Sequence, residues 1–549
     1  MVIFEQSIGE FTYFSGLFSP AAQWREGMVN YKRTEGDPAA LLCALSFATG
    51  LGFGGHMEHG LGSAYLGLQI ADALTLDNEE REAIFYGALL KDVACTACSA
   101  GIAAFFPDDE QVFLSDVILI DPSQFGDMIG WLSRYFRFDA RFPSRIAKLL
   151  SFLVQCGPIA KETMRSHCEV AELFARQLGF PDYVQRTLRF QWERWDGKGM
   201  AYGLKGPTIP RTARILHLVQ VLDLTYRFGG PEATSILAQE KRGTRFDPEG
   251  VDAFLTLTQQ TDFWKTFEEQ STQEALLARR PSTVADCAWE DQTERVCEAL
   301  ADFIDLKTRE TWHHSRMVAE VARRIGNCLG LEAGELARLR CAALVHDVGK
   351  VAVPAAIVAK GWHQSSSEWE TYRLHPYYTQ RILERVDTLQ ELAQAAAAHH
   401  EWMNGQGFHR QLCGEQIPFH GRILAVANTY ARLVQQQGDQ KDPAEVLRKM
   451  HSLVDIQFDR VCYEALVTSV MGVGNLGSVP PKPQKAGNLT EREVEVLCLL
   501  AQGQNTPQIA RTLVISRKTV EHHVAHIYDK IGVSCRTAAV VYAVQQGLV

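Results

Sequence analysis

The run Cys341–Lys350, CAALVHDVGK, decides how this chain is read. Small and apolar residues lead a helix into His346-Asp347, and Gly349-Lys350 follow at once. A buried charge is costly unless it is paired or bound to metal, so an imidazole beside a carboxylate in an apolar run needs a reason. Alone, the dipeptide fits a core histidine bonded to its neighbour as well as it fits a metal site. Outward from it, Glu310 and His314 stand four apart, on one face of a helix. Downstream come His375 in RLHP and His399-His400-Glu401 after the alanines 395–398. Such a set, rich in histidine and free of thiolates, suits iron or manganese better than a structural zinc.

This order of residues, with VAVPAAIVAK (Val351–Lys360), HHEWMNGQGFH (His399–His409) and IPFHGRILAVANTY (Ile417–Tyr430), resembles the HD superfamily of metal-dependent phosphohydrolases. Within it the resemblance is to the HD-GYP branch, which hydrolyses cyclic di-GMP at a two- or three-metal centre. The likeness covers roughly residues 300–440. It implies two divalent ions held by Glu310, His314, His346, Asp347, His375, His399 and His400, with Asn428 at the last ligand position. Asp347 would bridge the ions and Lys350 would steady a phosphoryl oxygen during in-line attack. Gly405, Gly407 and Phe408 would border the nucleotide. Three positions depart from the family pattern. Asn428 replaces an aspartate, Asn404 replaces another, and the GYP signature is Gly407-Phe408-His409.

At 549 residues the chain has room for three or four domains. No run approaches the length of a membrane span and the start has no basic leader region, so a cytoplasmic location is expected. The 13 cysteines are scattered without paired CxxC spacing, which reads as reduced thiols. A net charge of −10 argues against a general nucleic-acid coat, so any DNA contact must be local.

The first half repeats the second. His314 and His346 are 32 positions apart, as are His59 and Lys91; His375 and His399 are 24 apart, as are His167 and Gln191. His400 and Asn428 are 28 apart, matching Trp192 and Gln220. The first copy is degenerate. Lys91-Asp92 stands for HD, Gln191-Trp192 for the paired histidines, Gln220 for the last ligand and Gly55 for Glu310. A lysine at a ligand position puts a cation where a metal would sit, so this copy is expected to bind a ligand or to serve structure. It also carries about 47 extra residues before His167, in which Val112–Ile120 and Asp127–Phe138 are apolar enough to pack as a lid or subunit contact.

Elsewhere apolar residues recur at helical spacing. The expected division is a degenerate domain over 1–230, a helical connector over 231–300, the metal-binding domain over 301–475, a linker over 476–488 and a last domain over 489–549. In that last domain Thr490 and Glu493 form a capping box, Thr506-Pro507 opens a second helix, Ser516 caps a third closed by Gly532, and Ser534 caps a fourth. Two short helices joined by a tight turn make a helix-turn-helix. LTEREVEVL, GQNTPQIA and ISRKTVEHHVAHIYDKIGVSCR resemble the LuxR/FixJ-type DNA-binding domain. By that resemblance Arg517, Lys518, Thr519, Glu521 and His522 face double-stranded DNA, Lys530 lies further along the same helix, and Thr537–Gly547 pairs two domains into a dimer.

The expected architecture is therefore all-α: two tandem HD-type domains and a four-helix DNA-binding domain. The expected role is a one-component transcriptional regulator that senses a small phosphate-containing ligand, such as a cyclic dinucleotide. The alternative is an active metal-dependent phosphohydrolase coupled to DNA binding.

Overall fold

The computed structural model describes residues 38–52, 57–94, 161–270, 272–281, 292–308, 311–361, 363–437, 442–471 and 489–548. Glu310, Gly55, the two apolar runs of the insert and the whole proline-bearing linker lie outside them. Among the described residues the chain is helical, with three isolated β-bridges and no strand. No helix among them is long and apolar enough to cross a membrane.

The first copy comprises α1 (Pro38–Gly52), α2 (His59–Ala73), α3 (Asn78–Leu90), α4 (161–177), α5 (Asp182–Arg189), α6 (Arg211–Glu240) and α7 (Pro248–Thr258). A short helix α8 (Phe263–Gln270) follows, its Trp264 stacked on Tyr226 of α6 at 4.4 Å. The second copy comprises α9 (Gln292–Asp305), α10 (His314–Cys328), α11 (Ala333–Val345), α12 (Ser366–Tyr372), α13 (His375–Leu383), α14 (Asp387–Ala397), α15 (Phe419–Gln436), α16 (Pro443–His451) and α17 (Arg460–Met471).

The duplication holds element by element. Helices α2 and α10 both start on a ligand-position histidine and run 15 residues; α3 and α11 both run 13. The first is locally determined: Asp77 accepts the Glu80 amide at 2.8 Å and Glu80 answers the Asp77 amide, satisfying donors that a helix start leaves open. The repeat continues past the domain end expected at residue 230. Gly230 (φ 74°) kinks α6 ahead of Pro231, which has no N–H to give and starts a fresh turn, as Pro443 does for α16. Beyond it the bridge Arg242↔Phe246 reproduces Val454↔Phe458, and both phenylalanines are buried. The first copy thus reaches Thr258, and the connector is shorter than expected.

Between the copies, α1 packs on α9 and on the 3-10 turn Val348–Ala352. Arg385 reaches across to Glu58 at 3.0 Å, its guanidinium 4.8 Å from the Phe47 ring.

The last domain contains α18 (Glu491–Ala501), α19 (Thr506–Thr512), α20 (Arg517–Ile531) and α21 (Arg536–Gln545). Thr490 and Glu493 form the expected capping box, Ser516 caps α20, and Gly532 ends it at φ 74°. Two starts differ from expectation. Asn505 caps α19, so Thr506 opens that helix and Pro507 is second in it rather than first. Cys535 Sγ, not Ser534, accepts the Ala538 amide at the start of α21, because Ser534 is bonded to Glu169 of the first copy.

Candidate metal centre

Helix α11 ends by delivering His346 and Asp347, and the following turn carries Lys350 back onto the Asp347 carboxylate. Gly349 is required here: a Cβ would lie 2.0 Å from the His375 carbonyl oxygen and 2.4 Å from the Thr379 amide. That close approach lets Thr379 Oγ1 accept from Gly349 N at 3.0 Å and donate to the His346 carbonyl at 2.9 Å. His375 at the start of α13 is thereby tied to the HD turn, and His399-His400 follow the end of α14.

The protons of three imidazoles are fixed by their backbone partners. Nδ1 of His346, His375 and His399 each face a carbonyl three residues back, those of Ala343, Tyr372 and Ala396, at 2.7, 2.7 and 2.6 Å. A carbonyl only accepts, so Nδ1 carries the proton and Nε2 keeps its lone pair. Those lone pairs converge on Asp347. Its Oδ1 lies 3.3 and 3.4 Å from Nε2 of His375 and His399, and its Oδ2 lies 3.2 and 3.8 Å from Nε2 of His346 and His314. Nε2 of His375 and His399 are 3.1 Å apart. Lone pairs gathered this way repel one another unless a cation lies among them. His346 Nε2 and Asp347 Oδ1 are buried and take part in no hydrogen bond. The residues therefore fit a metal, and they form two triads, His375/His399/His400 and His314/His346/Asp347.

Electrostatics agree. Burial pushes the imidazoles of His314 and His399 down to about 3 and holds those of His375 and His400 below the usual range, so all four are neutral ligands near pH 7. Burial alone would raise the Asp347 carboxyl, but the Lys350 ammonium against it holds it well below the carboxylate range.

Beside the centre lies a cavity of about 250 Å³ bordered by Lys350, His400, Asn428, Trp369, Tyr372 and Arg432. Gly407 lets the chain pass within 2.6 Å (from a notional Cβ) of Glu401 Cα, and Phe408 stacks on His400 at 4.1 Å. The Glu401 carboxylate holds that loop by accepting the Arg410 and Leu412 amides at 3.2 and 2.9 Å. Gly405, Gly407 and Phe408 border a second hollow together with Trp369, Arg373 and Trp402.

Sequence reasoning missed Trp369, Tyr372, Arg432 and Gln435. Arg432 and Gln435 follow Asn428 by one and two turns of α15, a spacing that could have disclosed them. Gln435 Oε1 accepts from His314 Nδ1 at 2.9 Å, and its amide is itself oriented by the Trp312 carbonyl at 3.0 Å. Gln435→Ala is expected to weaken metal binding at the His314 triad by about 10–100-fold, as loss of a ligand's supporting hydrogen bond does. Titration of the metal-free protein with manganese is the check.

The equivalent centre of the first copy is filled by its own side chains. The Lys91 ammonium, fully buried, lies on the Asp92 carboxylate. His59 Nδ1 bonds Asp223 at 2.6 Å, Trp192 Nε1 donates to His167 Nδ1 at 3.3 Å, and Gln191 donates to the Lys91 carbonyl. Burial lowers His167 to about 4. Between about pH 6.5 and 4 the unfolded chain therefore takes up a proton that folded His167 refuses. Stability is full above that window and falls as pH is lowered through it, by about 1.4 kcal/mol per unit for one such group. Urea midpoints of the metal-free protein near pH 7.5 and pH 5 test this, with a shallower slope expected for His167→Asn.

In the last domain Arg517, Lys518, Thr519, Glu521 and His522 are all exposed along the start of α20. Lys530 is engaged elsewhere, its ammonium 2.7 Å from the buried carboxylate of Glu493. Helix α21, expected to pair two such domains, has no exposed residue.

The HD domain family model matches residues 139–250 and 298–461, together half of the chain, and the luxR family of bacterial regulatory proteins matches 487–543. The 3′3′-cGAMP-specific phosphodiesterase 3 of Vibrio cholerae serotype O1 is 26% identical over 393 residues, 72% of this chain and 85% of that protein. A cyclic di-GMP phosphodiesterase of Thermotoga maritima is 31% identical over 169 residues, 30% of this chain and 46% of its own length. The Bacillus subtilis regulator LiaR is 47% identical over 62 residues, 11% of this chain and 29% of LiaR. The crystal structure of a cyclic GMP-AMP phosphodiesterase of V. cholerae shares the fold, with a TM-score of 0.55 at 23% identity over 79% of this chain and 98% of that one. The chain belongs to the HD domain family, in a tandem arrangement completed by a C-terminal domain of the luxR family.

Proposed function

We propose that the second copy is a metal-dependent phosphodiesterase of cyclic dinucleotides, and that the same chain regulates transcription through its C-terminal domain. The observation that carries this reading is the convergence of three Nε2 lone pairs on the two oxygens of Asp347, with each Nδ1 committed to a carbonyl. His375, His399 and His400 would hold one ion and His314 and His346 the other, with Asp347 between; the donor set suits iron or manganese. Bound there, the ions supply Lewis acidity toward a phosphoryl oxygen. Lys350 and Arg432 border the cavity as cations for phosphate oxygens, and Trp369 and Tyr372 offer ring faces to a base. The relatives act on 3′3′-cGAMP and cyclic di-GMP, which fits a cavity with aromatic and cationic walls.

A second reading, a sensor that binds without turnover, is favoured by Asn428. Its Oδ1 lies 2.8 Å from His314 Nε2, and with the carboxamide turned over its N–H would occupy the lone pair an ion needs. Protein purified without chelator or oxygen, analysed for metal and incubated with 3′3′-cGAMP and cyclic di-GMP, separates the two. About two ions per chain and a linear product support the enzyme. Binding without product supports the sensor. Substoichiometric metal with neither binding nor product sinks both.

A further inference from the structure

Among the described residues, the hydrogen bonds between the C-terminal domain and the first copy come from one helix, α4. On α4 the Glu169 carboxylate, only 1% exposed, accepts the Ser534 amide at 2.9 Å and the Ser534 hydroxyl. One turn earlier Ser166 Oγ lies 3.1 Å from Cys535 Sγ. At the far end of α4, Gln177 accepts from Gln545 at 2.7 Å. These contacts fall at both ends of α21, so α4 and α21 lie side by side and run the same way. Glu169 also places a negative charge at the amino-terminal end of α21, where the helix dipole is positive.

The clamp is not a leftover of the duplicated fold. The second-copy equivalents of Ser166 and Glu169, at the same distance from the ligand-position histidine, are Leu374 and Tyr377, neither of them a carboxylate, exposed at 39% and 41%. Among the described residues, polar partners for the C-terminal domain are found on the degenerate copy alone. The docked geometry is also selective in what it covers: the start of α20 stays open, whereas none of the ten residues of α21 is exposed.

We propose that α4 of the first copy is a docking surface for the chain's own DNA-binding domain, and that it competes with a second copy of that domain for α21. A copy that has lost its metal centre thereby holds the DNA-binding domain single, and release lets two domains meet on one duplex. This rests on the DNA-binding part of the proposed function.

The test is the full-length variant S166C. Oxidation by copper phenanthroline joins the new thiol to Cys535, two thiols giving one disulfide, with two protons released and two electrons passed to the copper complex. Non-reducing peptide mapping is expected to find the 166–535 linkage in most chains. The probe is a random-sequence duplex of about 40 base pairs. Pairing doubles the phosphates neutralised per complex, so the linked protein is expected to bind at least about tenfold more weakly than the same protein after reduction. E169A, which frees Ser534, is expected to bind at least as tightly as the unaltered chain. Absence of the linkage overturns the dock. Equal binding before and after reduction, or an oxidant effect that persists in S166C/C535S, overturns the competition. Absence of duplex binding by the reduced protein overturns the DNA-binding reading itself.

Discussion

Asp347→Asn is expected to remove at least one of the proposed metal ions and to lower the proposed phosphodiester hydrolysis by about a thousandfold or more. The volume is unchanged, so the effect belongs to charge. Asp347 is the one described carboxylate that faces both triads, Oδ1 toward His375 and His399 and Oδ2 toward His346 and His314. An amide presents one acceptor oxygen and an N–H that would donate to a histidine lone pair, competing with an ion at one triad. It also leaves the buried Lys350 ammonium without its carboxylate. Elemental analysis and steady-state rates on one preparation check the result, with thermal unfolding as control. Full metal content and an unaltered rate in this variant would remove Asp347 from the centre.

Lys91→Met is expected to destabilise the chain by about 3–5 kcal/mol, the cost of leaving a buried charge unpaired. Lys91 is fully buried and Asp92 nearly so, and the two ions lie in contact. The variant keeps the unbranched stem of the side chain while deleting its ammonium, which leaves Asp92 facing His59 and His167. Adding Asp92→Leu is expected to recover most of the loss, because replacing both members of a buried pair with apolar groups is far less costly than breaking it. Urea denaturation checks both. Metal content should stay as in the unaltered chain; a gain of one ion in the single variant would mean that Lys91 had been holding a working site closed.

Much of the candidate metal centre was legible in the sequence because its donors are chemically scarce inside apolar helices. His346-Asp347, His375 and His399-His400 could be picked out as candidates before any contact was known, and the structure gathers them. What supports them was harder to read. Gln435 looks like any surface glutamine until α15 brings it to His314, and Gly349 discloses its need for space only once α13 lies against it. The repeat was legible from equal spacings of ligand positions, yet its end was not. Gly230-Pro231 has the composition of a boundary, and in the fold it is a kink within a repeat that runs on to Thr258. Ser534 was read as a helix cap from local pattern alone. Its actual partner, Glu169, stands 365 positions away, beyond the reach of any local rule.

The packing of α1 against α9, and of Arg385 against Phe47 and Glu58, joins two versions of one domain as a dimer interface joins two subunits. Fusion alters the genetics of such a pair. In a homodimer every substitution arises twice, so a lysine at the first HD position would extinguish both centres together. In a tandem chain each half is inherited separately. One half can carry an internal ion pair, Lys91 on Asp92, while the other gathers its histidines about Asp347, and neither change is imposed on the other.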